Sequence, residues 1–106
     1  MDVDTTWDGV TQLRKWLDDE GQAAAGDVRL LRVLKIGEEF GEASEAITGA
    51  LGANPRKGAS HTWTDVEKEL ADVIVTAMVA LSTITPDAEK VLEARTQALL
   101  ERIGRA

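Results

Sequence analysis

Two prolines, Pro55 and Pro86, are all that interrupt the backbone of this chain, and Ala, Leu, Glu and Arg fill the stretches between them. Those residues lose little on entering a helix, so the pattern predicts an all-α fold. With 106 residues there is room for one domain, and 43% apolar residues supply it with a core. A chain of this size buries roughly two-thirds of the surface that it exposes when unfolded. No internal repeat or low-complexity tract divides it. The expected architecture is a four-helix bundle-like domain over residues 1–106 with antiparallel central helices.

The first helix is expected over about residues 6–20, where Trp7, Val10, Leu13 and Leu17 recur at helical spacing, and a flexible link over 21–26 follows. Asp27 can cap a second helix over about 28–51, which ends where Gly49 and Gly52 permit a C-terminal turn. After a polar loop, Thr64 and Glu67 fit a capping box that opens a third helix running through Val66, Leu70, Val73, Ile74, Ala77 and Leu81. Thr85 and Pro86 read as cap and first-turn proline of a fourth, with Val91, Leu92, Leu99 and Ile103. Gly37 and Gly41 each weaken the second helix by up to ~1 kcal/mol relative to Ala, and permit close approach by another helix or a ligand.

Composition excludes several chemistries. There is no cysteine, so disulfides, thiolate zinc sites and Cys nucleophiles are out, and a reducing cytoplasm is the simplest home. Twelve Lys and Arg against nineteen Asp and Glu give a net charge of -7, which repels nucleic-acid backbones. No apolar run approaches the ~20 residues of a membrane span, and the start Met1-Asp2-Val3-Asp4 is acidic where a secretory signal is basic. Neither nucleic acid nor membrane is an expected partner.

The chemically loud segments are Lys35-Ile36-Gly37-Glu38-Glu39-Phe40-Gly41-Glu42 and Glu67-Lys68-Glu69-Leu70-Ala71-Asp72. Each carries an acid pair at i,i+3, Glu39 with Glu42 and Glu69 with Asp72, and such a pair shares one helix stripe. The apolar faces, Ile36, Phe40, Ala43 and Ile47 on one helix and Val66, Leu70, Val73 and Ala77 on the other, centre roughly 70° from the first acid of each pair in the same sense. Antiparallel packing then brings both pairs to one side of the helix pair. Like charges gathered there repel by order ~1 kcal/mol per pair at 4 Å in water, and more at lower dielectric. A hard cation answers an all-oxygen ligand set, so Mg²⁺ or Mn²⁺ is expected rather than zinc or copper. A di-iron site would want Glu-x-x-His motifs, and the one histidine, His61, lies in the loop. Set against this is a solvated acidic face, the reading favoured for Glu38 and Glu45, with Lys35 pairing Glu39 at i,i+4.

In their order and helical context these motifs resemble the all-α nucleoside triphosphate pyrophosphohydrolases, specifically the MazG-like group. Its E-E-x-x-E stands here as Glu38-Glu39-Phe40-Gly41-Glu42, and its E-x-x-D as Glu69-Leu70-Ala71-Asp72, followed by Val73. The resemblance covers about residues 35–81. It implies an Mg²⁺-dependent hydrolase that cleaves a nucleoside triphosphate between its α and β phosphates, works as a homodimer or homotetramer and serves nucleotide-pool housekeeping. It carries metal ligation to Glu39, Glu42, Glu69 and Asp72, and gives Glu38 a role in orienting water or a ligand. A carboxylate or metal-bound hydroxide activates the attacking water, with the base left open. The family often carries basic and Asn residues after its second motif, whereas the fourth helix here offers Lys90 and Arg95 without asparagine. Arg56 and Lys57 in the loop, with Lys35, are alternative phosphate contacts, against a plain solvated turn. The rival reading is a catalytically silent helical oligomer that binds nucleotide or metal, or a structural interaction module.

Among the remaining residues, Trp63 is expected to staple the third helix against Leu70 or its neighbours, and Phe40 to fill the core. Trp7 and Trp16 fit either core or subunit interface, and His61 reads as an exposed loop residue.

Overall fold

Four helices form where propensity and capping allow: α1 Val3–Glu20, α2 Val28–Ala50, α3 Trp63–Ile84 and α4 Ala88–Arg102. They are seen in a computed structural model that describes residues 3–20 and 27–105; the expected link at 21–26 lies outside the described residues. The described chain is all-α, and no single helix in it is long and apolar enough to cross a membrane.

Asp27 caps α2 as its position suggests, its carboxylate accepting from the Arg29 backbone N–H at 2.9 Å. Gly52, at φ +66°, supplies the left-handed turn after α2. The capping box of α3 is set two residues earlier than Thr64 and Glu67. Thr62 Oγ1 accepts from the Asp65 backbone N–H, and the Asp65 carboxylate accepts from the Thr62 N–H. Trp63 is therefore the first helical residue rather than the residue before the cap, and it stands 57% exposed instead of stapling the helix. The start of α4 also differs. Thr85 ends α3, its hydroxyl accepts from the Asp87 N–H at 3.1 Å, and Pro86 and Asp87 form a turn before helix begins at Ala88.

Three recorded contacts fix α2 and α3 as antiparallel: Arg32 reaches Thr83, Glu39 meets Glu69 and Asp72, and His61 rests against Gly49. The packing face is not the expected one. Ala43, Ala46 and Gly49 are the buried residues of α2, while Phe40 is 65% exposed and Ile47 and Leu70 also face outward. Both helices are turned by about a quarter turn in the same sense from the face that hydrophobicity selects. Small residues allow close backbone approach, and the turn carries Glu39 and Glu69 to the margin of the contact.

α1 completes the core by burying Trp7 and Val10 against Val79 and Ala88, with Leu17, Val75, Met78 and Leu81 packed around them. A polar tie adds to it. Asp18 accepts from Arg14 at 2.7 Å and from Arg32 at 2.6 Å, Arg14 also donates to Ser82, and Arg32 to Thr83. One carboxylate thereby joins α1, α2 and α3. The fourth helix departs from a bundle: α3 and α4 meet at a bend of 116°, and Ala88 is the only buried residue of α4. Three helices pack together while α4 stands off.

Candidate functional site

Glu39 comes from the middle of α2, and Glu69 and Asp72 from successive turns of α3, because the antiparallel pairing sets these levels opposite each other. One carboxylate oxygen from each of the three lies within 4.8 Å of the other two, and all three residues are half-buried. Glu69 is the innermost: its side chain is 21% exposed, and its Oε2 is buried with no hydrogen-bond partner. A buried acceptor left unpaired costs about 1–3 kcal/mol, and more when charged, so the Glu69 carboxylate favours a cation, or a proton shared with Glu42, whose side chain hydrogen-bonds it.

Lys68 is the cation nearest the group. Its ammonium lies 3.4 Å from both Glu69 Oε1 and Asp72 Oδ2, and those charges, Glu69 first, raise its pKa above the usual lysine value. At 70% exposed it sits on the outer edge, and the one signal for it in the sequence is the i,i+4 spacing to Asp72.

Glu42 stands beside the trio rather than in it. The charge of Glu39 first, then loss of some hydration, the charge of Glu69 and a hydrogen bond with the Glu69 side chain push its carboxyl above the usual glutamate range, although Glu42 itself is exposed. The group thus feels more negative charge than Lys35 and Lys68 neutralise. Glu38 turns to solvent and pairs with Lys35 at 3.3 Å, so the i,i+4 partnership expected between Lys35 and Glu39 gives way to an i,i+3 one.

The basic residues divide. Lys35 lies one turn from Glu39, within reach of the cluster. Lys57 pairs with Glu45 at 3.6 Å, and the Asn54 side chain holds the Arg56 and Lys57 backbone N–H groups in a tight turn at the far end of the hairpin. Arg95 belongs to the outlying α4. The structure brings none of Arg56, Lys57 and Arg95 to the carboxylates, because loop and fourth helix both sit turns away along the hairpin. His61 is half-buried, its Nδ1 2.9 Å from Ser60 Oγ, with its ring over Gly49.

Beside the carboxylates opens a groove of about 380 Å³ between α1, α2 and α3. Leu13, Trp16, Leu31 and Val75 make it apolar, and Arg32, Lys35 and Thr76 give it a polar margin. Trp16 is 61% exposed there, a flat aromatic face on an open wall. Lys35 and Thr76 each stand four residues from Glu39 and Asp72, one helical turn or about 6 Å along the axis. Groove and carboxylates are consecutive stations on one face.

Comparison with protein-family models, with curated proteins and with solved structures finds no match for this chain.

Proposed function

We propose that this chain is an Mg²⁺-dependent nucleoside triphosphate pyrophosphohydrolase, with Mn²⁺ able to substitute, converting a (d)NTP to the (d)NMP and pyrophosphate. The observation that carries the reading is the meeting of Glu39, Glu69 and Asp72 from two helices around a buried carboxylate oxygen without a partner. An all-oxygen, net-negative group of this kind suits a hard divalent ion, which would be held by these three residues. Bound there, such an ion supplies charge neutralisation for a polyphosphate and polarises the phosphoryl centre.

The chain's own groups divide the remaining work. The groove beside the site offers an apolar slot for a nucleobase, with the Trp16 ring as a stacking surface. Lys35, at the margin between groove and carboxylates, is placed to meet phosphate oxygens, and Lys68 can exchange its two carboxylate partners for the same anion. Water attacks the α-phosphorus, a new P–O bond forms, and the anhydride bond to the β-phosphate breaks with the bridging oxygen leaving on pyrophosphate. Glu42, outside the metal-holding trio and one turn from Glu39, accepts the proton of that water.

The test is incubation of the full chain with a panel of ribo- and deoxynucleoside triphosphates and Mg²⁺ or Mn²⁺, with products separated by ion exchange. Monophosphate and pyrophosphate in equal amounts are expected, abolished by chelator and by Glu69→Gln. Glu42→Gln should cut turnover by about 10²–10⁴-fold while leaving metal binding in place. Absence of turnover across the panel, with metal-dependent stabilisation intact, would replace the enzyme with a binding protein.

A further inference from the structure

Two of the three acids in the trio are already bridged by a cation that belongs to the chain. Lys68 Nζ lies 3.4 Å from Glu69 Oε1 and 3.4 Å from Asp72 Oδ2, because a lysine at i,i+4 from Asp72 and next to Glu69 falls on their stripe of α3. The neutralisation is incomplete. One ammonium faces the three carboxyl groups of Glu39, Glu69 and Asp72, and it reaches Glu69 Oε1 while Oε2 stays buried without a partner.

A divalent ion held by the trio would take two of its ligands from the residues that hold Lys68. The three ligand oxygens lie within 4.8 Å of one another, a space in which an ammonium and a divalent ion repel strongly. One of the two has to leave. The ion would be fixed by carboxylates from two helices, whereas Lys68 is 70% exposed on a flexible four-carbon stem, and its ammonium is well hydrated once it turns outward. Breaking its two ion pairs costs little, since exposed pairs are weak. Lys35 is placed differently, its ammonium resting 3.3 Å from Glu38, outside the trio.

From this placement we infer that Lys68 is a built-in competitor for the cation site: an entering divalent ion displaces its ammonium from Glu69 and Asp72 and releases it towards the phosphate that the ion attracts. The inference rests on the proposed role of the trio as a metal site, and adds that ion and phosphate bind with positive coupling through one side chain. Such coupling is reciprocal, so the factor by which the ion tightens the anion is the factor by which the anion tightens the ion.

Mn²⁺ binding to the full chain without nucleotide, read as free Mn²⁺ by electron paramagnetic resonance, tests the competition. Lys68→Met, which keeps length and helix propensity, should bind Mn²⁺ about 3–10-fold more tightly than wild type, and Lys68→Arg should restore the weaker binding. Lys57→Met removes the same charge at the far end of the hairpin, where screening leaves the trio unaffected, and should bind as wild type does. Melting gives a second reading. Lys68→Met should melt below wild type in chelator, where its acids repel unopposed, and lose that deficit in saturating Mn²⁺. Inorganic phosphate followed by phosphorus NMR reads the coupling: Mg²⁺ should tighten phosphate binding by a larger factor in wild type than in Lys68→Met. Equal Mn²⁺ affinity in wild type and Lys68→Met, equal tightening in Lys57→Met, or the same Mg²⁺ factor in both chains overturns the inference and leaves the trio as a metal site. A wild type that binds no Mn²⁺ removes that site, and the competitor with it.

Discussion

At the scale of single residues, the behaviour of the carboxylates depends on what each is forced to stand beside. Glu42 pays for the company of Glu39 and Glu69: its raised pKa means the folded protein resists its ionisation. A carboxyl raised on folding binds its proton more readily in the native state, so this contribution to stability grows as pH falls through its native pKa and is lost above it. Glu42→Gln should accordingly raise the melting temperature of the protein in chelator at neutral pH. Adding Mg²⁺ should then stabilise wild type and variant alike, since a ligand stabilises the state that binds it and the trio that would hold the ion is intact in both. Melting followed by circular dichroism with and without metal reads both effects, and a fall in chelator would show that Glu42 is not repelled. The spacing of Glu39, Glu69 and Asp72 was visible in sequence, whereas Lys68 as their bridging cation and the orphaned Glu69 oxygen needed side chains placed in space.

Among the elements, helix existence was legible and helix rotation was not. Local propensity and the Asp27 cap follow from neighbouring residues, but two Thr-x-x-acid patterns overlap at 62–65 and 64–67, and only the first is used. The loop tips that choice, because the chain is still extended at Thr62. Face selection failed for a different reason: a hydrophobic stripe shows which side wants burial, not what will cover it. Gly49 illustrates the outcome, being a helical residue whose missing side chain seats His61 rather than ending the helix. Gly49→Ala should lose about 1–3 kcal/mol through overpacking against the His61 ring and Ser60. With His61→Ala and Ser60→Ala already present, the same change should gain up to ~1 kcal/mol of helix propensity. Urea denaturation with and without Gly49→Ala in both backgrounds reads the two effects, and the same sign in both would refute the contact.

For the whole molecule, one small core and one polar tie hold three helices. Hydrogen bonding from Arg32, aided by the charges of Arg32 and Arg14, holds the Asp18 carboxyl below the usual aspartate range despite some burial. A depressed carboxyl stabilises the fold above its ordinary pKa near ~3.9 and loses that contribution as pH falls through the native value. Asp65 in its capping box and Asp27 beside Arg29 act in the same sense, opposite to Glu42. The melting temperature is therefore expected to drop below about pH 4, and less steeply in Arg32→Ala, whose Asp18 has lost its main partner. Equal slopes in thermal melts across pH would remove Asp18 from the tie.

What the residues determined by themselves was the class of structure and the level at which acids would meet. Helix propensity and i,i+3 spacing are local properties, and an antiparallel hairpin with equal offsets preserves convergence even when both helices turn together. Tertiary structure decided the rest: which face of α2 is buried, that α4 stands off, that Arg56, Lys57 and Arg95 lie away from the carboxylates, and that Trp16 walls a groove beside them. Those outcomes depend on packing between elements distant in sequence, where small residues at 43, 46 and 49 won the close contact and left the large apolar ones exposed.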